Sequence, residues 1–174
     1  MERTDVAIIG AGQAGLAMSA CLGRSGIDHL VLERGRIAER WRSERRPGLR
    51  LLTPAWMTRL PGLGLPDVHP DSFLPIDALA DLLDRYAAAQ AAPVLSGCAV
   101  EAVVPCGEGF RLHTSRGTFR ARAVVVATGA CDRPHVPGWG AGLPPRGAQM
   151  ASDAVRSPAA LPPGRVLVIG ASAS

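Results

Sequence analysis

Three glycines and one acid near the start of the chain have types and spacing that suit a phosphate-linked ligand. Gly10, Gly12 and Gly15 stand in G-x-G-x-x-G spacing, with Ala11, Gln13 and Ala14 between them, and Glu33 follows 18 residues after the last glycine. In this spacing the first glycine permits a tight turn, the second lets a pyrophosphate approach the backbone, and the third lets a helix lie close to a sheet. A helix opening there offers free N–H groups and partial positive charge to a diphosphate. Glu33 can accept hydrogen bonds from both hydroxyls of a ribose. An acid at that point disfavours a 2′-phosphate, so the site suits FAD or NAD rather than NADP.

The neighbouring residues supply the elements such a site needs. Val6-Ala7-Ile8-Ile9 is a short apolar run, as a buried parallel strand requires. A helix follows, with Leu16, Ser19, Ala20 and Leu22 on its packed face, and Gly26 ends it where a left-handed cap suits glycine. Leu30-Val31-Leu32 forms a second strand with Glu33 at its end. A triplet of glycines alone is weak evidence; between a strand and a helix, with the acid placed as here, it has the context that dinucleotide binding demands.

Further along, Arg34 to Pro75 loses all period and is expected to contain short helical turns and extended pieces wrapped around a cofactor. A helix is predicted over about 76–90, with Asp77, Asp81 and Asp84 suiting its dipole and Leu79, Leu82, Leu83 and Tyr86 on its apolar face. Three short strands follow, Ala99–Val104, Phe110–Thr114 and Thr118–Arg120, separated by glycine-containing turns as a β-meander. Ala123–Ala127 then reads as a separate buried strand closed by Thr128-Gly129. Residues 134–164 are rich in Pro and Gly and read as a linker. Arg165–Ile169 reads as a new buried strand, followed by Gly170 and Ser172 in what starts like a second glycine turn. The expected organisation is therefore a lobe over 1–133, a linker over 134–164, and the opening of a second lobe over 165–174. The fold class is α/β, a parallel nucleotide-binding sheet with a three-stranded antiparallel meander.

Composition narrows the function. A chain of 174 residues suits one domain or one and a fraction. No apolar run approaches the ~20 residues of a membrane span, and the motif begins too close to Met1 for a cleavable signal, so a cytoplasmic protein with no membrane partner is expected. Cys21, Cys98, Cys106 and Cys131 form no C-x-x-C, which argues against a disulfide reductase; free buried thiols are expected. All 19 basic residues are arginine, seven of them between Arg34 and Arg50. Glu33, Glu39 and Glu44 interleave with that cluster and no aromatic platform accompanies it, so it reads as a solvated loop near cofactor phosphates rather than a nucleic-acid surface. His29, His69, His113 and His135 are dispersed and suggest no triad. Asp67, Asp71 and Asp77 read as caps rather than metal ligands.

Taken in order, these motifs resemble the flavin-containing monooxygenase and Baeyer–Villiger-like group of two-dinucleotide-domain oxidoreductases. The resemblance rests on Gly10 to Glu33, on Trp41-Arg42, on Leu51-x-Thr53-Pro54 followed by Leu60-Pro61-Gly62-Leu63, on Val124 to Gly129, and on Val166 to Ser174. It covers essentially the whole chain, as the N-terminal portion of a protein usually two to three times longer. It implies a Rossmann-like FAD lobe and the start of a truncated NADPH lobe. It places Arg34, Trp41, Arg42, Thr53, Val100, Ala127, Thr128 and Gly129 against FAD, with Thr53 near the isoalloxazine ring and the Val100 backbone near the adenine. Gly170 and Ser172 would begin the NADPH turn. In such enzymes NADPH reduces the flavin, which then activates O₂ toward a small-molecule substrate.

The chain departs from the group where a signature F-x-G-x-x-x-H-x-x-x-(Y or W) would fall. Pro145, Gly147, Ala151 and Val155 stand there, and only the glycine matches. The resemblance thus carries flavin binding further than oxygenation. The leading reading is an FAD-binding, NADPH-dependent oxidoreductase. A non-enzymatic FAD-binding remnant, or a module dependent on a complementing chain or a dimer partner, is the alternative. A dehydrogenase-type NAD-binding module is a weaker one, which the meander and the A-T-G strand argue against.

Overall fold

The computed structural model describes residues 2–65, 67–129, 136–142, 148–155 and 157–170. Strand β1 (Glu2–Ile9) leads through the glycine turn into helix α1 (Gln13–Arg24), and β2 (His29–Leu32) returns beside β1. A short helix α2 (Glu39–Ser43) and a long excursion precede helix α3 (Ile76–Ala89). Then come β3 (Val94–Leu95), β4 (Val100–Cys106), β5 (Gly109–Thr114) and β6 (Gly117–Val126). They form one six-stranded sheet in the order β3-β2-β1-β6-β5-β4. β3, β2, β1 and β6 run parallel, whereas β4, β5 and β6 pair antiparallel.

Alternation along the central strands divides the interior in two. Val6, Ile8 and Val31 point to the helices and pack with Leu16, Ala20, Leu79, Leu83 and Tyr86. Ala7, Ile9, Leu30 and Leu32 point the other way and share a second core with Leu112, Phe119 and Ala121 of the meander. The meander thus covers one face of the parallel strands and the helices cover the other. That is how a parallel sheet, apolar on both faces, is kept from water.

The excursion between α2 and α3 is not loose. Leu51 N–H donates to the Leu74 carbonyl (2.8 Å), Ala55 N–H to Ser72 (2.7 Å) and Ile76 N–H to Leu49 (3.0 Å), so its two limbs run side by side. The Tyr86 hydroxyl donates to the Pro61 carbonyl at 2.8 Å and ties the excursion to α3. Burial pushes the Tyr86 pKa up.

Five expectations from the sequence are corrected. The third meander strand and the valine strand are one continuous strand, β6, because Ala121, Arg122 and Ala123 lack turn chemistry and the strand pairs with β1 on both sides of them. Its valine half is not fully buried: Val124 and Val125 are half-buried and Val126 is 72% exposed. Arg165–Ile169 is neither a strand nor buried; Leu167 is 84% exposed. No strand among the described residues pairs with it, and an apolar run without a neighbouring ladder has nothing to make it a strand. Of the described cysteines only Cys98 is buried, Cys106 is half-buried and Cys21 is exposed. Nor does an aspartate cap α3: Pro75 holds the cap position and Asp77 lies in the first turn. The two-residue β3 has no counterpart in the sequence reading. Cys131, His135, Pro145, Gly147 and Ser172 lie outside the described residues.

Candidate functional site

The site lies beyond the C-terminal ends of β1, β2 and β6, where ligands of open parallel sheets bind. Three loops meet there. The glycine turn is held to β2 by Gly10 N–H donating to the Leu32 carbonyl (2.8 Å), and Ala127 N–H donates to the Ile9 carbonyl (2.9 Å). Ala38 N–H donates to the Ala11 carbonyl at 3.1 Å, which brings the chain after β2 against the same turn.

The three glycines differ in what surrounds them. Gly10 has φ +106°, and a β-carbon on it would lie 2.6 Å from the Ala127 carbonyl oxygen. It is fixed both by conformation and by the neighbouring loop. A β-carbon on Gly15 would strike the Gly10 carbonyl oxygen, so the third glycine is fixed by the helix packing on the turn. A β-carbon on Gly12 would meet nothing within 4 Å, and its φ of −86° is open to any residue. Neither protein packing nor backbone conformation therefore requires glycine at Gly12. What a side chain would fill is the space above the turn, at the N-terminus of α1, where no side chain caps the helix. The residues present fit a dinucleotide: a diphosphate can reach the backbone and the first-turn N–H groups of Gln13, Ala14 and Gly15 through that space.

Glu33 stands beside it, half-buried. Its Oε2 accepts from Ala11 N–H at 2.7 Å and its Oε1 from Gly35 N–H at 2.8 Å. The side chain therefore braces the glycine turn, and a carboxylate with about four lone-pair sites retains capacity for ribose hydroxyls. Cys98 N–H donates to the Glu33 carbonyl (2.8 Å) and Gly97 N–H to that of Gly35 (3.1 Å), which carries the start of β4, and Val100, toward the same end.

Among the sequence-predicted residues, Gly10 to Gly15, Glu33, Ala127, Thr128 and Gly129 come together directly. Arg34 is drawn to Glu44 at 3.6 Å. Trp41 packs against the helix-side core with Arg45 over its ring at 5.4 Å. Arg42 turns to α3, where it pairs with Asp81 at 3.0 Å and with Asp84. Thr53 is exposed on the first limb of the excursion, next to the exposed Leu52, and makes no hydrogen bond among the described residues. Gly170 is exposed with φ +115°. Ala151 and Val155 are half-buried.

Three site residues escape a reading of the sequence. Ala38 sits at φ +58°, 3% exposed, against the turn. Gly35 supplies the second N–H on Glu33. Arg40 lies with Nη1 3.6 Å from where a β-carbon on Gly129 would be, while its Nε holds Glu44 at 2.6 Å. Only the density of arginines after β2 hinted at the last. The turn between them is clipped by Arg36, whose guanidinium donates twice to Glu39, at 2.7 and 3.0 Å. Hydrogen bonding from Arg36 holds the Glu39 carboxyl down at about 2. No group of metal-ligating side chains occurs among the described residues, nor is any helix there long and apolar enough to cross a membrane.

Comparison with known proteins agrees with this geometry. A family model described as pyridine nucleotide-disulphide oxidoreductase matches residues 7–174. An uncharacterised CzcO-like oxidoreductase of Geobacillus kaustophilus is 35% identical over 98% of this chain and 49% of its own length. A probable indole-3-pyruvate monooxygenase, YUCCA1 of Arabidopsis thaliana, is 36% identical over 75% of this chain and 32% of its own. Among solved structures, a flavin-containing monooxygenase from Stenotrophomonas maltophilia superposes with a TM-score of 0.70 at 30% identity, over 79% of this chain and 42% of that one. The bacillithiol disulfide reductase of Bacillus cereus gives 0.71 at 25% identity, over 79% and 44%. The chain spans about half the length, or less, of the relatives it matches.

Proposed function

The chain belongs to the pyridine nucleotide-disulphide oxidoreductase family, and from that premise we propose that it supplies the FAD-binding lobe of a flavin monooxygenase-like oxidoreductase that uses NADPH as reductant and acts in the cytoplasm on a small-molecule substrate. The observation that carries the reading is the contrast at the turn: Gly10 and Gly15 are glycine because protein surrounds them, and Gly12 because space must stay open above it. FAD, when bound, supplies a two-electron acceptor that activates O₂ once reduced. The chain's own part is to bind and to orient. The backbone of Gly12 and the first turn of α1 receive the diphosphate, and Glu33 fixes the ribose while bracing Ala11. The loop Ala127–Gly129, with Arg40 beside it, borders the crevice.

The flavin-containing monooxygenase of Stenotrophomonas and the YUCCA relatives favour the monooxygenase-like reading over thiol–disulfide chemistry. The described cysteines favour it too: Cys21, Cys98 and Cys106 are free, and no C-x-x-C occurs in the sequence. A module that holds FAD without turnover is the second reading, and Pro145, Ala151 and Val155 in place of the group's aromatic and histidine positions favour it. Anaerobic addition of NADPH separates the two: bleaching of the flavin by this chain alone excludes the second.

The first test is the visible absorption of the desalted protein. Flavin bands are expected for the native chain. Gly12→Val is expected to retain the fold, because its φ and its surroundings tolerate a side chain, and to lose at least about tenfold in flavin affinity because the side chain occupies the diphosphate's place. Full flavin retention by that variant would overturn the assignment.

A further inference from the structure

The outer face of the meander carries a feature the flavin site does not use. Register sets Arg3 of β1 opposite Arg120 of β6, and Arg120 opposite Arg111 of β5. Residues opposite one another across a sheet share a face, so three guanidiniums stand in a row across three strands, about 4.8 Å from strand to strand. Arg111 and Arg120 stand on the face away from Leu112, Phe119 and Ala121, which are all buried. Like charges directly opposite one another destabilise a ladder. Here no acid relieves them. Among the described residues the guanidiniums of Arg3, Arg111 and Arg120 have no hydrogen-bond or ion-pair partner. Asp5, further along β1, is taken by Arg122 at 3.3 Å. Arg111 and Arg120 are moreover half-buried, and their Nε atoms are shielded from solvent without a partner. Part of the desolvation cost of two cations is thus borne by the free protein, with no compensating bond.

We propose that this face is a docking surface for a protein partner that presents a row of carboxylates. Carboxylates three or four apart on a helix stand about 5–6 Å from one another, which matches the pitch of the arginine row. A helix lying across the strands would set one acid on each guanidinium. This face offers no aromatic platform for bases, since Phe110 and Phe119 pack on the opposite side, so a nucleic acid finds charge there and nothing else.

The test uses the full chain and a labelled alanine-based helical peptide with glutamates four residues apart, read by fluorescence anisotropy. The native protein is expected to bind it, with affinity falling as salt rises. Replacing both buried members, Arg111→Gln with Arg120→Gln, is expected to weaken binding roughly tenfold, as two partly solvated ion pairs would. Arg46→Gln with Arg85→Gln removes the same net charge elsewhere and is expected to leave binding unchanged. Equal weakening by both pairs would reduce the effect to net charge and overturn the proposal. So would absence of binding to the native chain, or tighter binding of a single-stranded oligonucleotide of equal charge. Should the Arg111/Arg120 variant fail to fold, the exposed Arg3→Gln decides: several-fold weaker binding supports the row, and unchanged binding overturns it.

Discussion

Ala38 is held in the left-handed region at φ +58° with its N–H on the Ala11 carbonyl. A β-carbon there costs about 1–2 kcal/mol, and glycine avoids that cost. Ala38→Gly is nevertheless expected to change stability by less than about 0.5 kcal/mol, because the relieved strain is offset by the extra freedom glycine gains in the unfolded chain and by loss of a buried methyl, seen as a denaturant midpoint and slope that barely move. A neighbouring residue makes stability depend on pH. The Arg36 hydrogen bonds hold the Glu39 carboxyl at about 2, well below its ordinary 4.5. A carboxyl whose folded pKa is depressed contributes stability that is complete above its unfolded pKa and is lost as pH falls through the folded one. The contribution should thus be present above about pH 4.5 and disappear toward pH 2. Glu39→Gln should flatten that part of the acid limb when thermal midpoints are followed between those values, and leave neutral-pH flavin binding in place.

The helices are joined by charge as well as by apolar packing. Arg42 of α2 reaches Asp81 and Asp84 on successive turns of α3, and α2 itself buries no residue. Five residues cannot hold a helix by propensity alone, so this clamp and the packing of Trp41 on the helix-side core together give α2 its place. Arg42→Met should cost about 1 kcal/mol, the scale of two partly exposed ion pairs. Hydrogen exchange should show the loss concentrated in Glu39–Ser43 rather than in α3, whose Leu79, Leu82 and Leu83 stay packed; uniform loss over both helices would count against a local clamp. Sequence alone could not have found the pairing. It gave Asp81 and Asp84 to the helix dipole and Arg42 to the cofactor, because a contact across 39 or 42 positions leaves no trace in local spacing.

At the scale of the whole molecule, what was legible followed from period and from glycine. The run Val6–Ile9, the apolar face of α3 and the meander turns each carry a local signature, and Gly10 to Gly15 with Glu33 carry the crevice. What was not legible depends on neighbours. β3 has two residues and exists because Val31 and Leu32 offer it a ladder. The exposure of Arg165–Ile169 contradicts its composition, since four apolar residues after an arginine make a strand only beside another. The brace from Glu33 to Ala11 and Gly35 is equally silent in the sequence, because an acid that fits a ribose looks no different from one that also holds a turn. The arginine row needs the register of three strands before it can be seen at all.

β6 runs without interruption from the meander into the parallel layer. Phe119 and Ala121 at its start, and Val124 further on, face the second core, whereas Val125 near its end faces the helices. One ten-residue strand therefore sets the register of two cores at once. A single residue inserted or deleted within it would turn one set of side chains to the wrong side, whichever half kept its place. Changes of chain length can be absorbed at Gly107-Glu108 or at Ser115-Arg116, where the strands merely turn, but not within 117–121 or 123–126, where successive residues alternate between faces. The span that joins meander to crevice is, in this sense, a ruler whose length the fold cannot renegotiate.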